Sequence, residues 1–303
     1  MIKIGNVEVN EFFECEEEQI EKEYLDILEK IKDNPNYFHG KSLGNNSSWI
    51  DIKETLKYRR NSIDWLPIDK GASVLEIMSG CGVLTELLAK KAQKVTCLEK
   101  SKTKSLINAY RNQSSDNVEI CMSDYATFCE NNHEKYDYII WIEGVMEHKE
   151  IAPDFNTFEE LLNDIKRLLK SNGTIVCAVK NPLGLRYLAG YPDEITGQFF
   201  KGLTGDFKEG AQTGYTRDVF LEMFQNASYK NINCYYPYPD HMFPMVIYSD
   251  DRLPQKGELL INMCNFQKER VVLFDETSVY DTIIGKNMFE KYSNSYLVMA
   301  QKE

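Results

Sequence analysis

From Val74 to Ile175 the chain alternates short apolar runs with turns and amphipathic stretches. The runs predict strands near residues 73–77, 94–98, 117–121, 137–142 and 174–179. The stretches between them predict helices near 82–92, 101–112 and 157–170, the last stopped by Ser171-Asn172-Gly173. Strands separated by helices are joined by crossovers, so the expected core is a doubly wound α/β sheet. Upstream, an acidic stretch from Glu16 carries Ile20, Tyr24, Ile27, Leu28 and Ile31 at helical spacing and reads as an amphipathic cover helix. Downstream, residues 181–215 are rich in Gly, Pro and aromatics, followed by a helix near 216–228 and a strand near 231–236. The segment SNSYLVMAQ, from Ser293, predicts a last strand pairing antiparallel at the sheet edge. The resulting division is a helical N-terminal cover at 1–70, a core at 71–182, a cap with one core helix and strand at 183–292, and a final core strand at 293–303.

Composition narrows this picture. With 303 residues and 43% hydrophobic content the chain can build a full core. No run reaches the roughly 18 apolar residues of a membrane helix, and acids stand where a signal peptide would be basic and then apolar. A cytoplasmic location without a membrane span is expected. The net charge of -12 repels duplex nucleic acid. The eight cysteines (Cys15, Cys81, Cys97, Cys121, Cys129, Cys177, Cys234 and Cys264) form no C-x-x-C pair, which predicts reduced thiols, mostly buried. None of the four histidines (His39, His133, His148 and His241) stands four residues from another, so no metal is expected.

Chemistry concentrates in VLEIMSGCGVLTELLA, from Val74: a strand, a small-residue turn and a helix. Gly80 and Gly82 let the backbone approach a ligand, and the helix start offers free N–H groups. Glycines alone would equally suit a nicotinamide dinucleotide. Three acids argue otherwise. Glu76, at the end of the first strand, would repel a pyrophosphate but suits the amino group of S-adenosylmethionine. Glu99 ends the second strand, where a carboxylate can accept both ribose hydroxyls. Asp124 follows the third strand and suits the exocyclic amine of adenine.

With these residues the sequence resembles the class I S-adenosylmethionine-dependent methyltransferases over roughly residues 72–180. The resemblance implies a Rossmann-like, mostly parallel seven-stranded sheet with S-adenosylmethionine as cofactor. The family's first motif, acid-x-Gly-x-Gly-x-Gly, here reads Glu76-Ile77-Met78-Ser79-Gly80-Cys81-Gly82, with Met78 replacing the first glycine. The cofactor residues implied are Arg59, Glu76, Met78, Ser79, Gly80, Cys81, Gly82, Glu99, Lys100, Asp124, Tyr125, Ile142 and Glu143. Arg59, from the helix ahead of the first strand, would pair with the cofactor carboxylate. The fourth-strand exit, YDYIIWIEGVMEHKE, resembles the fourth motif and brings Glu147 and His148 forward as candidates for the proton-accepting role.

The exit lacks the Asp/Asn-Pro-Pro-aromatic sequence of enzymes that methylate exocyclic amines of nucleic-acid bases. The segments NPLGLRYLAGYPDEITGQFFKG and YYPYPDHMFPMVIYSDDRLP resemble bacterial methyltransferases of surface-polysaccharide pathways. Those relatives often carry a histidine where this chain has Ile195. Tyr187, Tyr191, Tyr236 and Tyr238 are the candidate acceptor-binding aromatics. The expected reaction is methyl transfer to a hydroxyl or amine of a small molecule, natural product or sugar precursor, with a homodimer as candidate assembly. The alternatives are an inactive scaffold or cofactor sensor, motivated by Met78 and Ile195, and a nicotinamide oxidoreductase.

Overall fold

All five apolar runs of the central segment form strands. The computed structural model describes residues 2–12, 22–34, 36–40, 43–44, 47–205, 213–261 and 270–303. Its strands are β1 (Ile2–Ile4), β2 (Val7–Glu11), β3 (Ser73–Ile77), β4 (Lys94–Glu99), β5 (Val118–Met122), β6 (Tyr136–Trp141), β7 (Leu169–Lys180), β8 (Lys230–Tyr238), β9 (Val246–Ser249) and β10 (Ser295–Gln301). They make one sheet in the order β1-β2-β5-β4-β3-β6-β7-β10-β8-β9. From β2 to β7 every pairing is parallel, while β10 runs antiparallel to both β7 and β8. The centre of the sheet is buried on both faces: Leu75, Ile139 and Cys177 pack on one side, and Val74, Ile140 and Val176 on the other. That two-sided burial is why these strands read as continuous apolar runs.

Three expectations change. The sheet has ten strands among the described residues, not seven. The extra ones are β1 and β2 at one edge and β9 at the other, so the N-terminal cover is not wholly helical. Val7 and Val9 are buried while Glu8 is exposed, a period of two that places β2 beside β5. The last strand is not at the edge: β10 lies between β7 and β8. Finally, the helix expected near 157–170 spans Phe158–Ile165 and ends in a 3-10 turn at Lys166–Leu168. Ser171-Asn172-Gly173 lies inside β7, with Asn172 in the left-handed region at φ 62°.

The cover helix forms over Lys22–Asp33 and buries Tyr24, Ile27, Leu28 and Ile31. Ile20, Cys15 and Cys264 lie outside the described residues. The buried stripe packs with Ile107 of the helix Lys102–Arg111, bringing the cover down on the cofactor turn at Cys81. Among the described cysteines, Cys81, Cys97, Cys121, Cys177 and Cys234 are buried free thiols, and Cys129 is half-buried. No described helix is long and apolar enough to cross a membrane.

Candidate active site

The C-terminal ends of the parallel strands open into a cavity of about 330 Å³. Met78 and Gly80 after β3, Glu99 at the end of β4, and Ile142 to Gly144 after β6 line one half. Lys180, Arg186, Tyr191, Tyr238 and His241 line the other half. Trp49 and Lys53, on the helix Trp49–Thr55, face it from the N-terminal cover. That helix is started by Ser48, whose hydroxyl accepts from the Asp51 amide at 3.1 Å. Trp49 meets Phe243 edge-on, with ring centres 5.8 Å apart, so the cover and the segment after β8 touch beside the cavity.

Glu99 is fixed by backbone. One carboxylate oxygen accepts from the Gly80 amide and the other from the Ser101 amide, both at 2.9 Å. Each oxygen keeps capacity for another donor, which fits the paired hydroxyls of a ribose. Gly80, at φ 55°, has nothing within 4 Å of where a Cβ would stand, so the space above it is open to a ligand. Gly82, at φ 79°, is the opposite: a Cβ there would lie 2.2 Å from Asn108 Oδ1. Its role is close packing against the helix Lys102–Arg111. Met78 adopts the left-handed conformation that the missing glycine would take, at φ 54°. Its side chain lies on Gly144, where an added Cβ would meet Met78 Sδ at 2.5 Å.

Glu76 is buried and accepts from the Thr85 hydroxyl at 2.6 Å. Thr85 in turn accepts from Asn108 Nδ2 at 3.1 Å. Burial pushes the Glu76 carboxyl up to about 7, opposed by the bonds from Thr85 and Cys97. Arg59 is buried too, and its guanidinium binds Glu143 at 2.7 Å and Glu54 at 3.6 Å. Burial alone would raise the Glu143 carboxyl, but Arg59 and then Lys53 hold it at about 2. Glu76, Arg59 and Ser79 do not share one space with Gly80 and Glu99. They line a second, inner chamber of about 10 Å³, and Met78, Ile142 and Glu143 border both spaces.

Several expected site residues stand elsewhere. Asp124 caps the helix Tyr125–Asn131, accepting from the Thr127 amide at 2.8 Å, and does not line the cavity. Tyr125 is buried with its hydroxyl donating to Asp164 at 2.6 Å. Lys100 is exposed outside the cavity. Cys81 is buried, and its carbonyl accepts from Arg111 at 2.8 Å. His148 is buried against Phe158 with ring centres 6.1 Å apart, away from the cavity, while Glu147 stands exposed at its lining. Tyr187 donates to Glu194 at 2.7 Å, and Tyr236 accepts from Arg217 at 2.7 Å while donating to Asp250. Both rings pack inside the protein, leaving Tyr191 and Tyr238 at the cavity.

The histidine that does line the cavity is His241, which sequence reasoning missed. It is buried, and its Nδ1 has no hydrogen-bond partner among the described residues. Burial pushes the imidazole down to about 4, against the pull of Asp240, so it is neutral at pH 7. Its loop is pinned from several sides. The His241 amide donates to Ser295 Oγ at 2.8 Å, Asn294 Nδ2 to the Pro239 carbonyl at 3.0 Å, and Asn61 Nδ2 to the Pro244 carbonyl at 2.8 Å. Asp240 binds Arg186 at 3.0 Å, and that guanidinium stacks on Tyr191 at 4.1 Å. The available signal was weak: one histidine in a Tyr-Pro-Asp-His run rich in aromatics.

A glycine turn with an acid on either side of it, set in a mostly parallel sheet closed by an antiparallel strand, is the arrangement of class I S-adenosylmethionine-dependent methyltransferases, and this chain is similar to them. A family model described as ribosomal RNA adenine dimethylase matches residues 55–152, the segment that carries the glycine turn. A tRNA1(Val) (adenine(37)-N6)-methyltransferase of Bacteroides fragilis is 26% identical over 130 residues, covering 38% of this chain. The match spans 55% of that relative's length. Among solved structures, a methyltransferase from Archaeoglobus fulgidus is 14% identical, with a TM-score of 0.48 over 88% of this chain and 97% of its own. A magnesium protoporphyrin IX methyltransferase from Synechocystis is 11% identical, with a TM-score of 0.46 over 92% of this chain and 97% of its own.

Proposed function

We propose that the chain methylates a hydroxyl or amine on a small molecule or sugar precursor, with residues 183–292 supplying most of the acceptor side. One observation carries this reading: a single cavity joins Gly80 and Glu99 to a half lined by Tyr191, Tyr238 and His241. S-adenosylmethionine, when bound, supplies an already activated methyl group, so positioning accounts for much of the rate. The open space over Gly80 and the free lone pairs of Glu99 suit its nucleoside. On the other side, Tyr191 and Tyr238 offer faces for a ring or sugar, and neutral His241 takes the proton released by an attacking hydroxyl, or by the methylated ammonium that a neutral amine becomes after attack. His241 thereby assumes the part expected of His148.

The relatives' names favour a second reading, an adenine in RNA. The family match ends at residue 152, before β7 and everything that lines the acceptor half, so it bears on the methyl donor. The net charge of -12 favours the smaller acceptor. Homocysteine-coupled turnover with sugars, nucleotide sugars, phenols and amines in one panel, and tRNA and rRNA fragments in another, separates the two. Turnover confined to RNA would overturn the small-acceptor reading, and cofactor binding with no turnover in either panel would favour the sensor.

A further inference from the structure

We infer that Met78 is a gate between the donor half of the cavity and the inner chamber, and that it sets how tightly the amino-acid end of the cofactor is held. The inference rests on the cavity being the S-adenosylmethionine site. The chamber offers what that end requires: Arg59 for a carboxylate, and Glu76 and Glu143 for an ammonium. Yet its volume of about 10 Å³ is that of roughly one water, too little for either group. Met78 borders both spaces. It comes from the turn after β3, and its thioether rests on Gly144 after β6, so the side chain bridges the two strand exits that flank the donor half.

Two features show that this bridge is built in. Met78 holds a left-handed backbone at φ 54°, which costs an L residue and would cost glycine nothing. Gly144, at φ 74°, gives the thioether its seat, because any side chain there would displace Met78. Methionine is flexible enough to leave such a seat by rotating its side-chain torsions alone. In the closed position Arg59 stays with Glu143 and Glu76 with Thr85. With the side chain swung aside the chamber joins the cavity, and these groups can exchange internal partners for the cofactor's.

Calorimetry with two probes tests the gate: S-adenosylhomocysteine, which has the amino-acid end, and methylthioadenosine, which lacks it. If the open form is about a tenth of the population, removing the side chain tightens binding about tenfold. Met78→Gly should therefore bind S-adenosylhomocysteine about tenfold tighter than wild type while leaving methylthioadenosine unchanged. Adding Glu76→Gln should remove much of that gain. If Met78→Gly tightens neither probe, or both alike, Met78 is not a gate. If neither protein binds either probe, the cofactor reading fails and the gate falls with it. A melting temperature for each variant confirms that folded protein is compared, and Met78→Ala provides a second variant should glycine loosen the turn.

Discussion

Replacing Arg59 with methionine should uncover an electrostatic cost buried beneath the site. The guanidinium lies between Glu143 and Glu54, with side-chain exposures of 8% for Arg59, 20% for Glu143 and 3% for Glu54. Glu143 sits at about 2 instead of the ordinary 4.5, a difference worth roughly 3 kcal/mol at neutral pH. Removing one member of a buried pair typically costs about 3–5 kcal/mol, so Arg59→Met should lose about 3 kcal/mol in urea unfolding at pH 8. The pH dependence adds a second check. In wild type the Glu143 contribution is complete above 4.5 and disappears as pH falls through about 2. In the variant Glu143 keeps Lys53, at 3.4 Å, but loses its largest opposing charge to burial, so its carboxyl rises from about 2. The penalty is then fullest at high pH and shrinks as protonation relieves it. The gap between the proteins should be widest at pH 8 and narrow as pH falls below about 4.5. Arg59→Met/Glu143→Gln should recover at least half the loss, since the buried charge left with Lys53 alone is gone. A gap below about 1 kcal/mol, the scale of an exposed pair, or one constant with pH, would refute this account.

Glu76 inverts that logic. Its carboxyl stands near 7, so the stability it costs develops as pH rises from 4.5 to 7, and Glu76→Gln should gain as much as roughly 3 kcal/mol at pH 8 and nothing near pH 4.5. Thermal melts across that range check it, and a gain independent of pH would contradict it. The two glycines of the turn should separate stability from binding. Gly82→Ala meets Asn108 at 2.2 Å and should cost at least about 2 kcal/mol. Gly80→Ala should cost only about 1 kcal/mol yet weaken S-adenosylhomocysteine in calorimetry, because its methyl enters the open space. Once an acceptor is known, His241→Gln should lower turnover about a hundredfold with little change in S-adenosylhomocysteine affinity. His148→Gln should lower the melting temperature with turnover per folded molecule preserved. The opposite pattern would return the proton-accepting role to His148.

The donor half was legible in sequence because it is local. Glu76 lies near the end of one strand with Met78, Gly80 and Gly82 directly after it, and Glu99 ends the next, so strand position alone fixes their neighbourhood. Asp124 shows the limit of that reasoning: it does follow the third strand, but an N-cap bond to Thr127 occupies one of its oxygens and the cavity does not reach it. Ring density singles out Tyr187 and Tyr236, but it cannot tell a ring facing a cavity from one whose hydroxyl finds Glu194 or Asp250. His241 was invisible because its place depends on distant partners: Ser295 and Asn294 anchor its loop from β10 and the turn before it. The hairpin of β1 and β2 escaped because its strands are only three and five residues long.

The placement of β10 gives the molecule an order of assembly. During synthesis the parallel strands β3 to β7 can find one another as they emerge, and with them the turn at Gly80 and the strand end at Glu99. By contrast, β8 joins the sheet through β10, which is made after it and separates it from β7. The loop bearing His241 therefore cannot settle until Ser295 arrives to receive its amide. On the ribosome, the half that would hold the methyl donor can be built early, while the half that would accept the methyl group waits for the last strand to close.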